Sequence, residues 1–230
     1  MEKAVEIKDL WFRYEKNSPW ILKGINVAME SGELVGIIGQ NGCGKTTLAK
    51  HLNGLLKPIK GDVIVHGINT KKKETYELAK YVGYVFQFPD SQIFSKTLFD
   101  EVSFGPKNLG FTSEEIKKVV SSSLARVNLR VDLDKNPQSL SSGEKERLAI
   151  ADILAMMPKI LILDEPTSGQ DYSTCEIIMK IARELANSGI AVLIISHDMD
   201  LVAQWCDRIL VMSEGEILKD GFPEEIFTDT

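Results

Sequence analysis

The stretch ELVGIIGQNGCGKTT, residues 33–47, constrains the fold more than any other part of the chain. A continuous apolar run at 33–39 reads as a buried strand and passes directly into a glycine-rich loop. KTTLAKHLNGLL, 45–56, then has the apolar spacing of a helix. The loop matches G-x-x-x-x-G-K-[ST] in full, in the strand–loop–helix setting that the pattern requires. Glycines let successive backbone N–H groups wrap phosphate oxygens, and the start of a helix adds favourable potential for an anion. Lys45 is placed to reach the β- and γ-phosphates, and the Thr46 hydroxyl to ligate Mg²⁺. Gly39, Asn41, Gly42, Cys43, Gly44 and Thr47 complete the candidate contacts to a purine nucleotide. A plain glycine turn would not need the lysine and threonine as well.

Two further apolar, β-branched runs, KILILDE at 159–165 and IAVLIIS at 190–196, each follow a helical segment. Strands buried on both faces and alternating with helices predict an α/β fold with a parallel sheet. Residues 4–14, 25–30 and 61–66 instead alternate polar and apolar, which predicts an N-terminal antiparallel β layer. From about 98 to 127 the spacing is helical, and no buried-strand pattern returns until 159. The chain therefore reads as a single domain. Its α/β core and β layer span about 1–90 and 158–230, and an α-helical subdomain is inserted at about 91–157. A hairpin at 208–221 turns at Glu214-Gly215, and PEEIF starts a short helix.

ILILDEP ends its strand in two carboxylates. Asp164 at the mouth of the sheet is suited to hold Mg²⁺ through water, and Glu165 is a candidate general base for an attacking water. A lone acid at a strand end is commonly a helix cap, but here it accompanies a phosphate loop. IISHD ends the next buried strand in His197. If the two strands run parallel, His197 emerges beside Glu165, within reach of a γ-phosphate or of the water.

LSSGE, 140–144, is a second glycine-containing helix start. Ser141-x-x-Glu144 is a capping box, which accounts for those two residues. It does not account for Gly143 in the first helical turn, where glycine costs about 1 kcal/mol against alanine. Close approach of a ligand to the backbone would explain that glycine.

The block LSSGEKERLAIADILAMMPKILILDEPTSGQD, 140–171, resembles the signature-to-D-loop region of ATP-binding-cassette (ABC) ATPases. GQNGCGKTT, VFQFPD and IISHD stand in the order of the same family. The resemblance covers nearly the whole chain and implies a P-loop NTPase core with ATP and Mg²⁺ as ligands. It implies a second ABC ATPase subunit, the same chain or a different one. Each signature would face the nucleotide held by the other subunit, so Ser141 and Gly143 would contact a γ-phosphate in trans. It makes Gln87 the Q-loop glutamine that reaches the metal and the water. Asp171 becomes the D-loop aspartate at the subunit interface, and His197 the H-loop histidine. Tyr14 is either the aromatic that stacks on adenine or a strand aromatic of the core. Ser142, Glu144 and Gln170 depart from the usual glycine, glutamine and leucine, which leaves the strength of the signature open.

Within the superfamily, PDSQIF and FGPKNLG resemble the ATPases of energy-coupling factor (ECF) importers, including cobalt and nickel members. This implies an integral membrane coupling protein, a separate substrate-binding membrane protein, and a peripheral place on the cytoplasmic face of the cell membrane. The cargo would be a vitamin or a transition-metal ion, chosen by another polypeptide. Many such ATPases continue past the last hairpin, whereas this sequence ends at Thr230. The alternatives are an ABC ATPase of another importer class, or a non-transport ABC ATPase acting in solution. Against the latter stand a single cassette without sustained heptads and a net charge of −6 from 33 acidic and 27 basic residues. That charge argues against nucleic acid as a partner. Three cysteines without CxxC spacing predict neither a disulfide framework nor a zinc site, and suit a reducing compartment. Cys43 is either simply a small residue that fits a tight loop or, beside Lys45 at a helix start, a thiol of lowered pKa. In both cases a maleimide is expected to block ATP binding through it, with Cys175 or Cys206 as the alternative target.

Overall fold

The computed structural model describes residues 3–227. The chain opens with β1 (Lys3–Phe12), β2 (Leu22–Glu30) and β3 (Leu34–Gly39), followed by α1 (Lys45–Leu52), β4 (Lys60–Val65) and β5 (Ile68–Asn69). Then come α2 (Thr75–Leu78), β6 (Val82–Val85), α3 (Leu98–Asn108), α4 (Ser113–Arg126) and α5 (Ser142–Leu154). The rest is β7 (Ile160–Asp164), α6 (Tyr172–Asn187), β8 (Ala191–Ile195), α7 (Met199–Trp205), β9 (Arg208–Ser213), β10 (Glu216–Gly221) and α8 (Pro223–Phe227).

Two sheets form. β2-β1-β4-β5 is the antiparallel layer predicted from alternation, and β10-β9-β3-β8-β7-β6 is the larger sheet. In the larger sheet β9, β3, β8, β7 and β6 run parallel, and β10 folds back on β9. The Glu214-Gly215 turn takes positive φ at both residues, 47° and 84°, the twist that suits a two-residue hairpin. No strand lies between β6 and β7, and that span holds α3, α4 and α5.

Apolar side chains cover both faces of the large sheet. On one face Ile37, Ile162 and Leu193 pack with Val5, Ile25 and Val63 of the antiparallel layer and Leu48 of α1. On the other, Leu161 and Leu163 pack with Val102, Ile116 and Leu148 of the insert and Ile178 of α6. Burial on both faces explains why β3, β7 and β8 read as unbroken apolar runs.

Three details differ from expectation. The first helix stops at Leu52, not at 56, because the chain turns through Gly54 at φ 74°. β6 is a buried parallel edge strand that the sequence did not announce, since four residues are too few to show a period. β2 begins at Leu22, three residues before the alternating stretch, and residues 1–2 and 228–230 of the expected boundaries lie outside the described residues.

Candidate functional site

The parallel registers build one end of the site. Ile37 of β3 and Asp164 of β7 both lie level with Ile195 of β8, so the three strands finish on a common edge. Everything that follows them emerges there: the loop after Gly39, Glu165, and His197. β6 pairs Val85 with Leu163 and so delivers Gln87 to the same edge.

The loop follows its predicted course. A Cβ on Gly39 would run into the Met212 carbonyl oxygen of β9 at φ 150°, which reserves that position for glycine. Gly44 opens α1 at φ 110°, with Leu22 Cδ2 only 2.9 Å from where a Cβ would stand. Lys45 is buried, and its Nζ donates to the carbonyls of Gly39 at 2.7 Å and Gln40 at 3.2 Å. Asn41, Gly42, Gly44, Lys45, Thr46 and Thr47 border a cavity of about 470 Å³, and Tyr14, Gln87, Asp164 and Glu165 close it from other elements. Tyr14 is 60% exposed, so it is not a core aromatic; its hydroxyl lies 3.2 Å from Thr47 Oγ1 and its ring meets Phe12 edge-on.

Thr46 Oγ1 donates to Asp164 Oδ1 at 3.3 Å, while Asp164 Oδ2 accepts from the Tyr84 hydroxyl at 2.5 Å. Burial, then the bond to Asp164, holds the Tyr84 phenol well above its ordinary range, so it acts as a neutral donor. A threonine hydroxyl is a hard oxygen donor that suits Mg²⁺, and a carboxylate beside it can hold the ion through water, with phosphate and water supplying the other ligands. Glu165 is buried and left-handed at φ 56°, a conformation that a non-glycine residue keeps only where its surroundings enforce it. Its N–H donates to Ile195 O at 2.9 Å, and its Oε2 lies 2.7 Å from His197 Nδ1. With the carboxylate ionised, the imidazole nitrogen is the donor. His197 borders Glu165 rather than the cavity itself.

The second helix start lies elsewhere. Ser141, Gly143 and Asp171, with Ser142, Glu144 and Gln170, border another cavity of about 320 Å³ that shares no residue with the first. The capping box is formed: Glu144 Oε2 accepts from the Ser141 N–H at 2.9 Å and from its hydroxyl at 2.8 Å. These two bonds hold the Glu144 carboxyl below its usual range. Asp171 caps α6, accepting from Thr174 N at 3.0 Å and Thr174 Oγ1 at 2.8 Å, and is lowered by the same pair of bonds. Gln170 Nε2 donates to Ser142 Oγ at 2.8 Å, so two of the unusual residues bind each other.

Packing and burial bear on two of the expectations. Gly143 has a packing reason that needs no ligand: a Cβ there would stand 2.8 Å from Thr174 Cγ2, so glycine lets α5 approach α6. Cys43 is 7% exposed and packs inward near Gly39, so its thiol is shielded from reagents. Sequence reasoning missed Tyr84 and Thr174. Neither carried a signal, since a tyrosine in a short strand and a threonine in a helix's first turn have ordinary structural roles.

Among the described residues no helix is long and apolar enough to cross a membrane. A family model described as ABC transporter matches residues 22–168. The energy-coupling factor transporter ATP-binding protein EcfA of Methanocaldococcus jannaschii is 47% identical over 98% of this chain and 81% of its own. Among solved structures, cbiO1 from Clostridium perfringens, part of the ABC transporter complex cbiONQ, superposes with a TM-score of 0.93 at 38% identity, covering 100% of this chain and 92% of that one. A dimeric ATP-binding cassette in a post-hydrolysis state, bound to ADP and Pi, gives a TM-score of 0.83 at 28% identity over 95% of this chain and 98% of that one.

Proposed function

The chain belongs to the ABC transporter ATPase family, and from that premise we propose that it is the ATP-hydrolysing subunit of an ECF-type importer for a vitamin or a transition-metal ion. The observation that carries the ATPase chemistry is the convergence of Lys45, Thr46, Asp164 and Glu165 on one cavity. The EcfA relative and cbiO1, whose descriptions name energy coupling and the cbiONQ complex, support the importer type.

In this reading the loop N–H groups and Lys45 hold the phosphates, and Tyr14 offers its exposed ring to adenine. Thr46 and Asp164 hold Mg²⁺, with Gln87 at the same cavity. Mg²⁺ held by these residues would supply charge neutralisation for the phosphoryl group. Glu165 takes the proton of the attacking water, and His197 fixes the carboxylate's direction through Nδ1. Ser141, Gly143 and Asp171 act on the nucleotide of a second ATPase subunit. That assignment is supported by the separation of the two cavities within one chain: each copy carries one half of two sites. ATP closes the pair, hydrolysis releases it, and the motion drives an integral membrane coupling protein with a separate substrate-binding membrane protein. The chain would then sit peripherally on the cytoplasmic face of the cell membrane.

The test is reconstitution. The chain, co-expressed with neighbouring membrane proteins and purified in detergent, should enter vesicles as a complex. ATP should drive uptake of a vitamin or metal ion that the small membrane protein binds by itself, and Lys45→Ala should abolish uptake without dispersing the complex. Recognition of the cargo by an extracellular binding protein instead would assign the chain to another importer class.

A further inference from the structure

The metal-facing carboxylate has a second partner. Asp164 presents Oδ1 to Thr46 and Oδ2 to Tyr84, and the Tyr84 bond is the shorter, 2.5 Å against 3.3 Å. Tyr84 is 6% exposed and sits in β6, one strand across from Asp164's own strand, with Tyr84 level with Ile162. Its ring is held against Phe86 at 5.1 Å, two residues along the same segment and next to Gln87. The hydroxyl therefore has a fixed aim, and a carboxylate with one oxygen so held is restrained about its terminal torsion, which is otherwise broad.

We infer that Tyr84 is a positioning residue for metal binding: its hydroxyl anchors Oδ2 of Asp164 so that Oδ1 faces Thr46. This rests on the assignment of Asp164 and Thr46 as holders of Mg²⁺. A carboxylate that binds a metal is ordinarily held by an outer hydrogen bond, and losing such a bond typically costs about 10- to 100-fold in metal affinity or activity. The competing account is that Tyr84 is a core aromatic whose polar tip found the nearest acceptor, as buried tyrosines do. It also borders an apolar cavity of about 550 Å³ on the side of α2 and α3, where a ring alone would serve. The two accounts differ in one measurable respect. A core role affects stability, whereas a positioning role affects the Mg²⁺ dependence of nucleotide binding.

The experiment compares ATP binding to the otherwise intact chain, by fluorescence of a slowly hydrolysed ATP analogue, in EDTA and across a Mg²⁺ titration. Tyr84→Phe keeps the ring and removes the donor. Its metal-free affinity should stay within about 2-fold, while the Mg²⁺ concentration for half-maximal tightening should rise roughly 10-fold. Tyr84→4-aminophenylalanine returns an N–H donor on the same ring and should recover most of that shift; it also serves if the phenylalanine variant folds poorly. Asp164→Asn should shift the Mg²⁺ dependence by itself, and adding Tyr84→Phe to it should do nothing more. An unchanged Mg²⁺ midpoint in Tyr84→Phe, with Asp164→Asn shifted, overturns the role of Tyr84 and leaves the metal assignment standing. An unchanged midpoint in Asp164→Asn overturns both.

Discussion

Replacing Gly143 by alanine puts a single methyl group between α5 and α6. The new Cβ would stand 2.8 Å from Thr174 Cγ2 and 3.2 Å from Thr174 Oγ1. Carbon atoms rest at about 3.5–4.0 Å, so the methyl must gain about 1 Å. Thr174 cannot swing away freely, because its Oγ1 and N–H are both bound to Asp171. The helices must part instead. Overpacking costs about 1–3 kcal/mol, and alanine returns about 1 kcal/mol of helix propensity, so net destabilisation should be about 0–2 kcal/mol. Function should suffer more than folding. Parting the helices shifts Ser141 relative to Asp171 by a distance that, in a catalytic site, costs on the order of 10²-fold in rate. Thr174→Ser removes Cγ2 and keeps the hydroxyl on Asp171. Gly143→Ala with Thr174→Ser should therefore recover most of the ATPase turnover lost by Gly143→Ala. Steady-state turnover and thermal melting of the three variants decide the matter. If the double variant turns over no faster than Gly143→Ala, the packing argument is refuted, and the lost turnover comes from the new methyl meeting the partner's nucleotide.

Glu165→Gln keeps the shape and removes the base, so turnover should fall by roughly 10²-fold or more while ATP still binds; size-exclusion chromatography with ATP should then show a persistent dimer. Glu146 in α5 is buried with Oε1 unpaired, and burial pushes its carboxyl up to about 8. The folded chain thus keeps a proton that the unfolded chain sheds above its ordinary pKa of 4.5, so stability falls as pH rises from 4.5 to about 8 and levels off above. Glu146→Gln should raise the melting temperature at pH 8.5, by a stability on the order of a few kcal/mol, and change little at pH 5. The bond between Gln170 and Ser142 predicts that Ser142→Gly and Gln170→Leu are non-additive: the double variant should match the worse single variant in ATP-driven dimerisation, and full additivity would dissociate the two residues.

The phosphate loop, the acid pair at the end of β7 and the buried strands were all legible in the sequence, because each is local. A strand buried on both faces must be apolar throughout, and a loop that wraps phosphate must spend glycines where its backbone comes close. The helix start at Ser141 was legible for the same reason, since its capping box closes within four residues. What the sequence by itself could not supply is which local pieces meet. β6 is too short to declare itself, yet its register sets Tyr84 on Asp164, 80 residues away in the chain. Gly143 carried a clear signal of close approach, but a glycine records only that something comes near. That the neighbour is Thr174 was decided by how α5 and α6 pack. Likewise, Ser142 and Gln170 are separate oddities in the sequence and one hydrogen bond in the fold. Local chemistry is written in spacing along the chain, whereas the partner of a side chain depends on the register and packing of elements far apart in sequence, which no residue pattern within one element encodes.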